Sequence, residues 1–257
     1  MITKDAGDRN GAFFDRAAKT DGLPRPSAPP SLGFRKSRFG LRNSRPGGRG
    51  GEGGDFGQLI WLLAAKRARS ERPNQMTHFP ILTMESAPER SKPALKQLEA
   101  AFGMIPNIAG VMARSPVLIN SRVGLFGNVH GGSFTEPQVQ TVLLTDAVTN
   151  ECAWAVAFHT ALGLKAGLDP ADVEAIRERR LPKDGKHAAL SLLAKTLIEK
   201  RGRLDDRDID QFVAAGFGKD LALEVIAIVA ASTITNYTGS VTRIPLEAPF
   251  QAHAWPA

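Results

Sequence analysis

Apolar positions from residue 86 onward recur every three or four residues, the period of a helix rather than a strand. Leu95, Leu98 and Phe102 share one face of a run that opens near Ser86-Ala-Pro-Glu, and Gly103 stops it. Pro106-Asn107 reads as a turn and cap, followed by Ile108, Val111 and Met112 at helical spacing. Ser115-Pro116 is a cap with proline at the first helical position. Leu118, Ile119, Val123 and Phe126 carry that helix toward Gly131-Gly132. Thr135-Glu-Pro-Gln138 is a capping-box pattern opening a helix with Val139, Val142, Leu143 and Ala147.

Asn150 is expected to cap the next helix, which runs to Leu164 and stops near Gly167. Asp169-Pro170 starts another, with Val173 and Ile176 inside, and Leu181-Pro182 breaks the chain. Residues 188–198 are apolar at helical spacing up to Gly202, and 205–215 form a short amphipathic piece ending at Gly216. Residues 221–234 are nearly all apolar and are expected to form a central helix. The tail from Ile244-Pro245 reads as irregular. Strand-like alternation bounded by turns is missing, so the pattern predicts an all-α, compact bundle of about eight helices.

Composition divides the chain. Of its 257 residues, the first 75 hold 12 of the 25 glycines and 6 of the 17 prolines, with 15 basic and 7 acidic side chains. The remaining 182 carry 18 basic and 19 acidic ones. The net charge of +7 therefore belongs to residues 1–75, which include Arg-Pro-Gly-Gly-Arg-Gly-Gly-Glu-Gly-Gly. Such a stretch cannot bury enough apolar surface to offset its conformational entropy, so 1–75 read as a disordered Gly/Pro/Arg-rich extension. A basic tail that touches nucleic acid and an extension without function are the two readings, the second favoured. Foldable patterning begins directly after Met76, which suggests Met76 as the natural start.

Residues 76–257 are near neutral and give no electrostatic reason to expect nucleic acid. Residues 59–65 are apolar but too short for a membrane span. The expectation is a soluble cytoplasmic protein with no membrane partner. A helix this apolar belongs in a core or at a subunit interface, and a homo-oligomer is expected. A single cysteine excludes an intramolecular disulfide and a cysteine-rich zinc site. His78, His187 and His253 lack companions at metal-ligand spacing, and no nucleotide fingerprint is present, so neither metal nor cofactor is expected. Asp205, Asp206, Asp208 and Asp210 read as a helix start rather than a calcium loop.

Candidate chemistry gathers in Asn150-Glu-Cys152-Ala-Trp154-Ala155-Val-Ala-Phe-His159. This run resembles the signature of the carboxymuconolactone decarboxylase / alkylhydroperoxidase D-like family. In its peroxidase members that signature is a glutamate, eleven residues, Cys-x-x-Cys, three residues, then histidine. Phe102-Gly-Met-Ile-Pro-Asn107, Phe134-Thr-Glu-Pro-Gln-Val-Gln140 and the stretch from Asn236 to Pro245-Leu-Glu247 resemble other parts of the family. The resemblance spans about residues 76–250 and implies an all-helical, oligomeric fold. Cys152 matches the first motif cysteine and His159 the histidine. Ala155 stands where the second cysteine belongs, and Gln140 where the relay glutamate belongs.

The complete motif works because two sulfurs in a first helical turn share a face, and a residue four before the histidine lies next to it. In the peroxidase members the second sulfur attacks peroxide and the first resolves it to a disulfide. Ala155 offers no nucleophile, and Cys152 stands about 10 Å along the helix from His159. The paired-thiol cycle should therefore be absent. Near position N2, Cys152 is expected to have a lowered pKa from the helix dipole, opposed by Glu151. A one-cysteine peroxidase resolved by an external thiol and an inert buried cysteine both remain open. His130 is a further candidate lining residue, and Trp154 and Phe158 read as packing.

Three functions compete. The resemblance implies a peroxidase-type antioxidant enzyme acting on hydroperoxides, impaired at Ala155 and Gln140. It equally allows a cofactor-free decarboxylase or lactone-acting enzyme in which His159, Gln140 and His130 do acid–base work. The third is a non-catalytic oligomeric relic.

Overall fold

In a computed structural model, residues 79–256 are described. The readings made for residues 1–75 and for Met76 lie outside them. Among the described residues there are nine α-helices and no strand. They are α1 (Lys92–Phe102), α2 (Asn107–Met112), α3 (Pro116–His130), α4 (Glu136–Thr149) and α5 (Ala153–Lys165). Then come α6 (Pro170–Arg177), α7 (Gly185–Glu199), α8 (Asp206–Ala214) and α9 (Leu221–Thr242). Short 3-10 turns cover Glu89–Ser91 and Ala248–His253, the second in the tail expected to be irregular.

The predicted stops and starts hold where side chains cap. Gly103 ends α1 at φ 72°. Ser115 Oγ accepts from Leu118 N, Asp169 Oδ1 from Ala171 N, and Asp205 Oδ1 from the amides of Arg207 and Asp208. The aspartates at 205–208 are thus a capping box, as their spacing suggested. At Thr135, the Gln138 amide oxygen accepts from the Thr135 backbone N–H at 3.0 Å.

The long helix runs two turns beyond its expected end. Threonines and Ser240 past residue 232 look like breakers in the sequence. In the fold, Thr233, Thr238 and Thr242 return their hydroxyls to carbonyls four residues earlier, at 2.7–2.8 Å, and the helix continues. By length and composition α9 could cross a bilayer. It behaves instead as a core helix, burying Val225, Ile228 and Ala231 together with Ser232, Thr235 and Asn236. It is not buried all round: the large apolar side chains Leu223, Ile226, Tyr237 and Val241 are exposed.

Two apolar clusters fill the fold. One gathers Leu95, Ile108, Met112, Ile119, Leu144, Trp154, Phe158 and Ile176. The other gathers Phe126, Val139, Leu143, Leu190, Phe212, Val225 and Ile228. Helix α4 contributes to both and packs against α5, α7 and α9. Every residue from Val139 to Val148 is buried, so α4 is enclosed on all sides. Leu143, fully buried on this helix, is a measure of it. Leu143→Ala should lower unfolding free energy by about 2–5 kcal/mol in urea denaturation; a loss below about 1 kcal/mol would mean that α4 is not central.

Candidate functional site

Helices α4 and α5 carry the motif positions, and the turn between them differs from expectation. Asn150 closes α4 instead of opening α5. Glu151 follows at φ 55°, a left-handed conformation, and Cys152 is itself the N-cap of α5. The amides of Cys152 and Glu151 return to Ala147 O and Val148 O, the bond pattern of a helix end that usually carries glycine. With glutamate at that place the ending was invisible in the sequence. Cys152 therefore stands ahead of the helix rather than at its second position.

The sulfur is sealed. Cys152 is buried, and its Sγ packs on Gly239 of α9 so closely that a Cβ there would come within 2.8 Å. Only glycine permits that approach. Burial pushes the Cys152 thiol up, and hydrogen bonds from the Ala155 and Trp154 backbone and the Ser240 hydroxyl offset it only in part. The expected lowering is thus corrected: desolvation outweighs the helix terminus. Ala155 is fully buried and brings no nucleophile.

Trp154 is buried too, its ring stacked on Phe158 with centroids 4.8 Å apart. Its Nε1 donates to Glu247 Oε2 at 2.8 Å, while Glu247 Oε1 accepts from Asn107 N at 2.6 Å. This ties α5 to the start of α2 and to the C-terminal segment.

Polar chemistry converges on His159. Its Nδ1 lies 3.0 Å from Gln140 Oε1, joining the two motif positions across α4 and α5. One turn earlier on α4, Glu136 Oε1 accepts from Gln140 Nε2 at 2.7 Å. Glu136 Oε2 in turn lies 2.8 Å from His130 Nδ1 at the end of α3. A carboxylate only accepts, so Gln140 must give it the amide nitrogen and offer its oxygen to His159. His159 then carries its proton on Nδ1, leaving Nε2 with a lone pair. The row His159–Gln140–Glu136–His130 is continuous. Gly163, the next turn of α5, lets Leu168 close over it: a Cβ there would lie 2.9 Å from Leu168 Cδ1.

His159 is held neutral. Burial depresses its pKa to about 3, with further lowering from the charge of Arg122 and then of His130. Arg122, on α3, is 4% exposed. Its Nε donates to Thr235 Oγ1 at 3.3 Å, and its guanidinium lies 4.3 Å from the Phe126 ring centroid. Burial pulls its pKa down to about 10, so it keeps its charge at neutral pH.

Of the residues that the sequence reading named for the site (Cys152, His159, Gln140, His130, Trp154 and Ala155), the structure joins Gln140, His159 and His130 in one network and leaves Cys152, Trp154 and Ala155 outside it. The sequence reading missed Glu136 and Arg122. Glu136 was signalled by lying four residues before Gln140, and Arg122 by standing on the face of Ile119 and Phe126 at helical spacing.

Elsewhere the polar residues are structural. A surface cavity of about 480 Å³ is lined by Asp169, Asp172, Asp184 and His187. The three carboxylates there accept from backbone amides at the starts of α6 and α7. Asp146 is different. It is fully buried on α4, and neither carboxyl oxygen has a hydrogen-bond partner among the described residues. The Ser232 hydroxyl lies beside it, outside hydrogen-bond geometry. Burial raises its pKa well above the usual carboxylate value.

The architecture defines a class: the all-helical fold of the alkylhydroperoxidase D core. A peroxidase-related protein from Ralstonia eutropha with an alkylhydroperoxidase AhpD core superposes with a TM-score of 0.62 at 14% identity, covering 69% of this chain and 96% of that one. The debrominase Bmp8 superposes with a TM-score of 0.59 at 18% identity, covering 70% and 96%. Its cysteine-to-alanine variant in complex with 2,3,4-tribromopyrrole gives a TM-score of 0.60 at 17% identity, covering 70% and 97%. A peroxidase-related protein from Silicibacter sp. gives 0.59 at 17% identity, covering 71% and 97%. No family model and no curated protein matches the sequence.

Asp146 sets a pH dependence with a definite sign. A carboxyl whose native pKa is raised contributes stability that is fully present below its unfolded pKa, near 4, and is lost as pH rises through the native value. Asp146→Asn removes that loss. Urea denaturation from pH 4 to 8 should show the variant gaining on the wild type as pH rises; parallel curves would contradict a neutral buried acid.

Proposed function

We propose that this protein is a soluble, cytoplasmic enzyme of the alkylhydroperoxidase D-like family that works without thiol redox chemistry. On this reading it acts on a lactone or carboxylate substrate by cofactor-free acid–base catalysis at His159. One observation carries it: the hydrogen-bonded row from His130 to His159 is unbroken, whereas Cys152 is sealed and Ala155 is inert.

Each group has a role. Gln140 fixes the imidazole by accepting from Nδ1–H, so that Nε2 faces the substrate as proton acceptor and, once protonated, as donor. Glu136 holds the Gln140 amide and His130 in place, and stabilises positive charge that develops along the row. Gln140 cannot itself act as a base or pass a proton, and Glu136 one turn earlier orients it and supplies the negative charge of the row. The peroxidase alternative requires a thiolate, and Cys152 resists forming one. A relic without chemistry leaves a continuous, partly buried polar row without a purpose.

The exposed stripe of Leu223, Ile226, Tyr237 and Val241 on α9 supports the homo-oligomer expected from sequence.

Two measurements test this. His159→Gln should cut turnover of a lactone or carboxylate substrate by about 100-fold or more, while hydroperoxide consumption with an external dithiol stays at background; rapid dithiol-driven peroxide turnover would overturn the proposal. Light scattering should report a mass above that of one 27.6 kDa chain; a monomer would contradict the assembly.

A further inference from the structure

We infer that the surface cavity at the starts of α6 and α7 is the pocket through which a substrate reaches His159, that Leu168 is the side chain closing one from the other, and that the pocket takes an uncharged molecule. This rests on the acid–base reading of His159 and gives that site its approach and its ligand class.

His159 and Gln140 are 2% and 1% exposed, so nothing meets the imidazole until a covering group moves. An open volume lies one side chain away. Leu168 lines the cavity of about 480 Å³, a size within the range of about 300–1,000 Å³ usual for small-molecule sites. Its Cδ1 lies 2.9 Å from the point where a Cβ on Gly163 would stand, and Gln140 Cβ lies 3.8 Å from the same point. Gly163 is one turn past His159 on α5 and shares its face. A leucine methyl therefore stands between the cavity and the polar row. A second contact puts the cavity on the same stretch of α4. His187, in the cavity wall, has Nδ1 2.7 Å from the hydroxyl of Thr141, the neighbour of Gln140. That hydroxyl donates to Pro137 O at 2.9 Å, so His187 Nδ1–H donates to it in turn.

The closure is a side chain on a fixed backbone. Leu168 N donates to Gly163 O at 3.0 Å, following Gly167 at φ 95°. Rotation about the leucine side-chain bonds opens the way without moving the turn. Gly163 makes the contact possible, since any Cβ there would push the leucine off the row.

The lining selects the ligand. Asp169, Asp172 and Asp184 are held in place by backbone amides, and Lys183 alone offsets them within the wall. A concave surface with surplus fixed negative charge repels an anion. A cation tolerates the mouth, but passing an apolar gate into a buried interior strips any ion of its hydration. An uncharged molecule meets neither barrier.

The test uses histidine labelling of the full chain and needs no known substrate. Diethyl pyrocarbonate acylates neutral imidazole nitrogens, and peptide mass spectrometry reads each histidine, with His253 in the C-terminal turn as reference. Leu168→Ala should raise acylation of His159 by about tenfold while His253 is unchanged. Ala171→Trp, at an exposed position on the cavity wall, should slow His159 below the wild-type rate and again spare His253. A His159 rate indifferent to both variants would overturn the inference. If Leu168→Ala raises His159 and His253 together, the chain has loosened as a whole. Ala171→Trp then decides: a slowed His159 upholds the pocket and an unchanged one removes it. For the ligand class, iodoacetamide and iodoacetate are compared at His159 and His187, each relative to free N-acetylhistidine. The uncharged reagent should be favoured by about tenfold; equal rates, or a preference for the anion, would overturn that class. If labelling follows Leu168 and Ala171 but His159→Gln leaves turnover intact, the pocket stands and the acid–base reading falls. If His159→Gln abolishes turnover while labelling ignores both variants, the reverse holds.

Discussion

A helix enclosed on every side must find partners inside the protein for each polar group it carries. Helix α4 is that helix, and it carries Gln140, Thr141, Thr145 and Asp146 among its buried residues. Thr145 settles its hydroxyl on the Thr141 carbonyl and meets Ser191 at 2.9 Å. Thr141 meets His187 at 2.7 Å. Gln140 turns to α5 and finds His159. The arrangement of α5 and α7 about α4 is in this sense dictated by unsatisfied hydrogen bonds as well as by apolar area. Asp146 is the exception, and it escapes the cost of a buried charge by holding its proton.

Much of this was readable from the chain. Helix starts fixed by side-chain oxygens, at Ser115, Thr135, Asp169 and Asp205, stand where the pattern put them, because a cap is a local interaction. The misreadings share another cause. The end of α4 uses Glu151 where glycine is usual, and the last two turns of α9 use threonines whose hydroxyls serve the helix. In both places the surrounding fold overrides a local preference. The site divides in the same way. Gln140 and His159 are nineteen residues apart in sequence, and only the family resemblance linked them. Arg122 comes from α3, and its nearness to His159 is a tertiary fact without a short-range signal.

The altered motif gains a physical meaning. With cysteine at position 155 a sulfur would stand beside the imidazole, and with glutamate at 140 a carboxylate would touch it. Neither is present here. Glutamine makes the contact to His159 without a charge, and the carboxylate of the row stands one turn earlier at Glu136. That lowers the drive to protonate the imidazole without breaking the row. Cys152, deprived of a partner, packs against Gly239 as a small apolar group.

Two neighbouring cations cannot both persist in a dry interior. Arg122 and His159 illustrate how the conflict is resolved. The guanidinium holds its proton far more tightly, so burial leaves it charged at neutral pH, and the imidazole gives way. The site therefore rests with one fixed positive charge and one neutral ring whose tautomer is set by Gln140. Burial is the larger cause of the ring's neutrality, and the fixed guanidinium charge adds to it, so the tautomer set by Gln140 is the form in which the imidazole rests.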